Sequence, residues 1–303
     1  MIENILSSLN FSLSSRINSN ILVSGSSGVG KTVFSKSLLD YFPPEKLYSF
    51  VASKDDKSAL SILSYPPLPR HGVSEFIDAF VSTLPDPNGW YSSQIPVILA
   101  SLFSRCDRKE GDHNFTLNYF LRFLDAELVY ASSLDRPVIS FIVNRIHSLY
   151  SSASHSFGND FSAYLKNKVF SFDGLVGFQK TFFYEFMLRL LWKKTHSFYL
   201  FLDEFHRISS FQNSIIGEML REIRTKGGII ASTQNLADVL PGYINQFGSI
   251  FLGRSINVDD FAYWRFLSLP IVSSIISLKP FTFLDIISFI QDPGKSHIWE
   301  AVL

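Results

Sequence analysis

Short, continuously apolar runs recur along this chain, each closed by a small or polar residue. They are Ile21-Leu-Val-Ser24, Phe198-Tyr-Leu-Phe-Leu202, Gly228-Ile-Ile-Ala-Ser-Thr233 and Ser249-Ile-Phe-Leu252. Continuous rather than alternating apolar character marks strands covered on both faces, as in a parallel sheet. Two further strands are read at Leu47-Tyr-Ser-Phe-Val-Ala52 and Lys168-Val-Phe-Ser-Phe172. Helical spacing fills the intervals. One helix runs from about Lys31 to the stop at Pro43-Pro44, one over Phe178–Lys194 and one over Ser214–Lys226. Strand–helix alternation predicts an α/β core with a mainly parallel sheet flanked by helices.

Between Pro66 and about Leu165 the pattern changes. Pro66-Pro-Leu-Pro69 and Pro85-Asp-Pro-Asn-Gly89 are breakers. Helical spacing then covers Val73–Leu84, Gln94–Phe103, Thr116–Leu128 and Pro137–Tyr150, with Thr116 suited to an N-cap and Pro137 to a first turn. Residues 66–165 therefore read as an all-α insertion, closed by the serine-rich stretch 151–160, in a core formed by residues 1–65 and 166–258. Residues 259–303, broken at Pro270, Pro280 and Pro293, read as a helical tail, and the first 20 residues as a short amphipathic lead-in.

Composition narrows the class. The 303 residues suit one large α/β domain or two small ones, and 46% hydrophobic residues, with 30 phenylalanines, supply ample core. Basic and acidic residues balance at 27 each, so a polyanion must meet a local patch rather than a basic field. Lys193, Lys194, Arg207 and Lys226 are dispersed and read as ordinary solvated cations. The single Cys106 excludes an internal disulfide and fits a reducing compartment. The histidines lack ligand spacing, so no zinc site is expected. Glu3 precedes any apolar run, and no run approaches the ~20 residues that span a bilayer. A soluble, cytoplasmic protein with no membrane span is expected.

The candidate chemistry starts at Gly25-Ser26-Ser27-Gly28-Val29-Gly30-Lys31-Thr32-Val33, between the first strand and its helix. A loop that wraps a triphosphate turns its backbone N–H groups inward, which glycines permit, and the following helix aims its positive dipole end at the same phosphates. Lys31 would reach the β and γ oxygens, and the Thr32 hydroxyl would ligate Mg²⁺. Asp203 and Glu204 follow a buried strand directly, at the end where open parallel sheets place ligands. Asp203 would hold Mg²⁺ through water and Glu204 would polarise the attacking water. A charged pair closing a strand is also ordinary turn chemistry; the phosphate loop upstream favours the site. Gln234 ends the next strand, either as a plain polar terminus or as a sensor of the γ-phosphate. Asp55 and Asp56 read as a solvated loop.

Leu202-Asp-Glu-Phe-His-Arg207, Leu220-Arg-Glu-Ile-Arg-Thr-Lys-Gly227 and Ile230-Ala-Ser-Thr-Gln-Asn-Leu236 follow the phosphate loop in that order. Together they resemble the FtsK–HerA superfamily of DNA-pumping ATPases, within it the HerA and conjugation or secretion branch. The resemblance covers roughly residues 19–60 and 167–256. It implies a RecA-like P-loop core, ATP and Mg²⁺ as cofactors, and a homo-oligomeric, hexameric ring that moves duplex DNA. Archaeal or viral packaging, conjugation and DNA-end processing are compatible settings. It further makes Arg224 a candidate for reaching the neighbouring subunit's γ-phosphate, with Arg221 and Arg254 as other candidates. The alternative reading of Arg224 is that it satisfies its own helix's carbonyls or pairs with Glu218 or Glu222. The alternative from another class is a regulatory nucleotide switch whose Phe-rich insertion docks a protein partner. A small-molecule kinase is disfavoured by Glu204 and by the lack of an arginine-rich lid.

Overall fold

The computed structural model describes residues 19–40, 42–51, 59–84, 90–110, 117–151, 162–209, 214–225, 227–254, 275–285 and 298–300. Its strands are β1 (Ile21–Ser24), β2 (Leu47–Val51), β3 (Leu60–Ser61), β4 (Val169–Ser171), β5 (Phe198–Leu202), β6 (Gly227–Thr233), β7 (Ser249–Gly253), β8 (Thr282–Asp285) and β9 (Ile298–Glu300). The chain divides into two units, residues 1–52 with 195–212 and 216–303, and residues 53–194 with 213–215.

In the first unit the strands run in the order β2-β5-β6-β1-β7-β8-β9. The pairs from β2 to β7 are parallel, and β8 and β9 join antiparallel. β1 lies between β6 and β7, with Ile21 opposite Ile230 on one side and Ser249 on the other. Ile21, Leu22 and Val23 are wholly buried, as a strand with neighbours on both edges and cover on both faces requires. Asn20 ties the amino end of this sheet together. Its Nδ2 donates to the carbonyls of Leu220 (2.8 Å) and Gln246 (3.2 Å), and its Oδ1 accepts from the Ile229 N–H (3.0 Å).

The second unit pairs β3 with β4 in parallel and holds helices at Val73–Ser82, Trp90–Glu110, Leu117–Tyr130, Arg136–Tyr150, Ser162–Asn167 and Gly177–Lys194. It reaches beyond the insertion read at 66–165. The reason is a phenylalanine core that binds the long helix Gly177–Lys194 to the helix Val73–Ser82. Phe76 meets Phe103, Phe182 and Phe186 edge-on at 5.4, 5.0 and 5.3 Å between ring centroids. Replacing Phe76 with Ala is expected to cost about 3–5 kcal/mol, since a wholly buried ring leaves a cavity that its aromatic neighbours fill only in part. Denaturant unfolding of native and variant chains measures it.

Several elements differ from the reading of the sequence. The helix read over Gln94–Phe103 runs over Trp90–Glu110 and encloses Pro96. The helix read over Ser214–Lys226 is an α-helix over Ile215–Glu222, followed by a tight 3₁₀ turn at Ile223–Thr225. The helical tail read at 259–303 is corrected. Its described residues hold one helical turn at 275–277 and the two strands β8 and β9. A short apolar run has no periodicity that separates strand from helix; the free edge of β7 decides it. Residues 1–18 of the lead-in, the stretch 152–160, Asp55, Asp56 and Lys226 lie outside the described residues. Cys106 is buried. Among the described residues no helix is long and apolar enough to cross a membrane.

Candidate functional site

The loop after β1 turns sharply because Gly28 and Gly30 take left-handed backbone angles, φ +80° and +92°, which side chains oppose. Gly30 caps the helix Lys31–Leu39, so the helix's unpaired N–H groups and positive dipole end face the loop. Ser27, Gly28, Gly30, Lys31, Thr32 and Val33 line a cleft of about 290 Å³. Its other wall comes from the carboxyl ends of β5 and β6, through Asp203, Glu204, Ser232, Thr233 and Gln234. The parallel sheet brings these segments to one edge, although nearly the whole second unit separates them in sequence.

Gly25, Ser26 and Val29 belong to the loop without lining the cleft. The carbonyls of Gly25 and Ser26 accept from Lys31 Nζ at 2.7 and 2.8 Å, which holds the lysine along the loop. Burial pulls the Lys31 ammonium below its ordinary pKa, against the carboxylates of Asp203 and Glu204, which favour the charged form. The Ser26 N–H donates to the Arg254 carbonyl (3.1 Å), anchoring the loop to the end of β7.

Asp203 is fixed by its surroundings. Its Oδ1 accepts from Ser232 Oγ (2.7 Å) and from the Glu204 N–H (3.1 Å), and its own N–H donates to the Phe50 carbonyl (3.0 Å). Glu204 sits at φ +54°, a conformation costly for a residue with a Cβ and found at sites where the surroundings dictate it. Arg207 Nε forms an ion pair with Glu204 Oε2, and Gln234 Nε2 donates to Oε1 at 3.3 Å. The nearby His206 is pulled below the usual histidine pKa by burial, so near pH 7 it is neutral and the ion pair to Glu204 comes from Arg207.

The candidate arginines fall at different ends of the sheet. Arg224 is exposed on the turn before the amino end of β6, and Arg221 is exposed on the helix preceding it. β6 is seven residues long, so roughly 20 Å separates Arg224 from the cleft in its own chain. Arg254 follows the carboxyl end of β7, on the phosphate-loop side.

Reading the sequence misses three contributors. Arg207 stands three residues after Glu204, the spacing of a helical ion pair, and that signal was available. Ser232 precedes the strand end by one residue and carries no signal without knowledge of the facing strand. Phe281 packs on Gly30 from the turn before β8, far along the chain; a Cβ on Gly30 would lie 2.3 Å from its ring.

No protein-family model matches the chain, and no curated protein matches it. Solved structures do. VirB4 of Thermoanaerobacter pseudethanolicus is similar at 13% identity with TM-score 0.64, covering 94% of this chain and 90% of VirB4. The chain shares its RecA-like P-loop fold. The bacterial conjugative coupling protein TrwBΔN70 is similar at 13% identity with TM-score 0.53, over 88% of this chain and 82% of that one. At these identities the likeness speaks for architecture, and the chemistry rests on this chain's own residues.

Proposed function

We propose that this chain is an ATPase of the FtsK–HerA superfamily that moves duplex DNA as a homo-oligomeric, hexameric ring. The observation that carries the reading is the convergence of Lys31, Thr32, Asp203, Glu204 and Gln234 on one cleft at the carboxyl edge of a parallel sheet. In this reading the loop N–H groups and Lys31 bind the triphosphate. Thr32 and Asp203 supply the hard oxygen donors that suit Mg²⁺, which when bound neutralises phosphate charge. Glu204 takes the proton of the attacking water, and Gln234, on the far side of the Glu204 carboxylate, orients that water or registers the γ-phosphate. The order of motifs along the chain, with the fold shared with a conjugative coupling protein, supports DNA as the object moved.

The Glu204–Arg207 ion pair favours a second reading. A base held by a cation suits a nucleotide switch that hydrolyses slowly until a protein partner acts. ATP hydrolysis measured without nucleic acid, with single strands and with duplex, across a salt series, separates the two. Duplex DNA is expected to stimulate hydrolysis, with binding that weakens steeply as salt rises, because counterion release dominates such contacts. Activity indifferent to every nucleic acid and to salt supports the switch instead.

A further inference from the structure

The turn before β8 touches the phosphate loop through Phe281, which does not itself line the cleft. The Phe281 N–H donates to the Val29 carbonyl at 2.9 Å, and the Phe281 ring covers the Gly30 Cα so closely that a Cβ there would clash. Phe281 itself sits at φ +63°, left-handed and unfavourable for an aromatic residue. Its neighbours hold it there. Thr282 donates through both its N–H and its Oγ1 to the Lys279 carbonyl, at 3.2 and 2.6 Å. Phe283 stacks on Phe34 of the helix Lys31–Leu39, with ring centroids 4.3 Å apart, and β8 pairs with β7.

In a trans peptide the C=O and N–H point in opposite directions. A Val29 carbonyl held by Phe281 therefore turns the Gly30 N–H the other way, and Gly30 lines the cleft. We propose that Phe281 is a positioning residue of the phosphate loop, setting the Val29–Gly30 peptide so that the Gly30 N–H is presented to a phosphate oxygen. This rests on the reading of the cleft as a nucleotide site. The ring blocks the loop from relaxing toward β8, and the N–H fixes the peptide plane. Loop N–H groups fixed before binding spare the ligand the cost of ordering them.

The test uses the full chain and its Phe281→Ala, Phe281→Tyr and Phe283→Leu variants. ATP and ADP affinity are read by calorimetry, turnover by steady-state kinetics and folding by thermal midpoint. Phe281→Ala is expected to weaken both nucleotides about tenfold, raising KM while kcat stays near native. Phe281→Tyr, which keeps the ring, should bind as the native chain does. Phe283→Leu loosens the packing of β8 on Phe34 but keeps the Phe281 ring and N–H, and should lower the thermal midpoint without moving affinity. If Phe281→Ala fails to fold, Phe281→Gly replaces it, since glycine accepts φ +63° and retains the N–H. Native affinity in the ring-deleted variant overturns the proposal, and so does an equal loss in Phe283→Leu, which would make β8 and the turn before it a structural support only. A native chain that binds no ATP removes the cleft reading and this inference with it, whereas ATP binding insensitive to Phe281 removes this inference alone.

Discussion

Glu204→Gln is expected to bind ATP as the native chain does and to hydrolyse it ~10²–10⁴-fold more slowly, the usual range for a lost general base. Lys31→Ala is expected to lose nucleotide binding itself. On the proposed reading the two differ because Lys31 would face the phosphates in the ground state, whereas the Glu204 carboxylate would act on a proton that moves only in the transition state. The amide keeps the shape of Glu204 and a polar partner for Gln234 Nε2. It gives up the negative charge and the ion pair to Arg207. That pair is partly exposed, and such pairs contribute at most about 1 kcal/mol, so the variant's fold is expected to survive. Nucleotide affinity and steady-state turnover of both variants are the measurements. Native turnover in Glu204→Gln would remove Glu204 from the role of base.

Arg224→Ala is expected to reduce hydrolysis by ~10³–10⁵, the range for an arginine that stabilises the transferring phosphoryl group, while ATP binding persists. The sheet makes this a statement about two subunits. Arg224 precedes the amino end of β6 while Gln234 follows its carboxyl end, so roughly 20 Å keeps the guanidinium from its own cleft. A ring must therefore bring Arg224 to a neighbour's cleft for the role to hold. Mixing supplies the test. An Arg224→Ala subunit placed beside a Glu204→Gln subunit can receive an intact arginine at an intact base, so some activity should return. No recovery in rings that exchange subunits would leave Arg224 outside catalysis and turn attention to Arg254, whose backbone already anchors the phosphate loop.

Much of the fold and of the cleft is legible in the residues alone, because both are written locally. Runs such as Phe198–Leu202 declare burial on both faces without reference to any partner. Gly28 and Gly30 announce left-handed turns, and Asp203, Glu204 and Gln234 stand where apolar strands stop. The contacts of the Glu204 carboxylate are half local. Glu204 and Arg207 lie within one helical turn, but that Gln234 meets the opposite oxygen of the same carboxylate depends on β6 lying beside β5.

The sequence by itself determined an alternating α/β chain, a phosphate loop between the first buried strand and its helix, and acids at the end of another. Only the tertiary structure decided the strand order β2-β5-β6-β1-β7-β8-β9. With it came the end of the sheet on which Arg224 stands, the strand rather than helix at Thr282–Asp285, and the seat of Phe281 on Gly30. The physical reason is one of range. Burial and backbone angle are properties of a residue and its near neighbours, while register and contact depend on which distant strand offers its free edge and its matching apolar face.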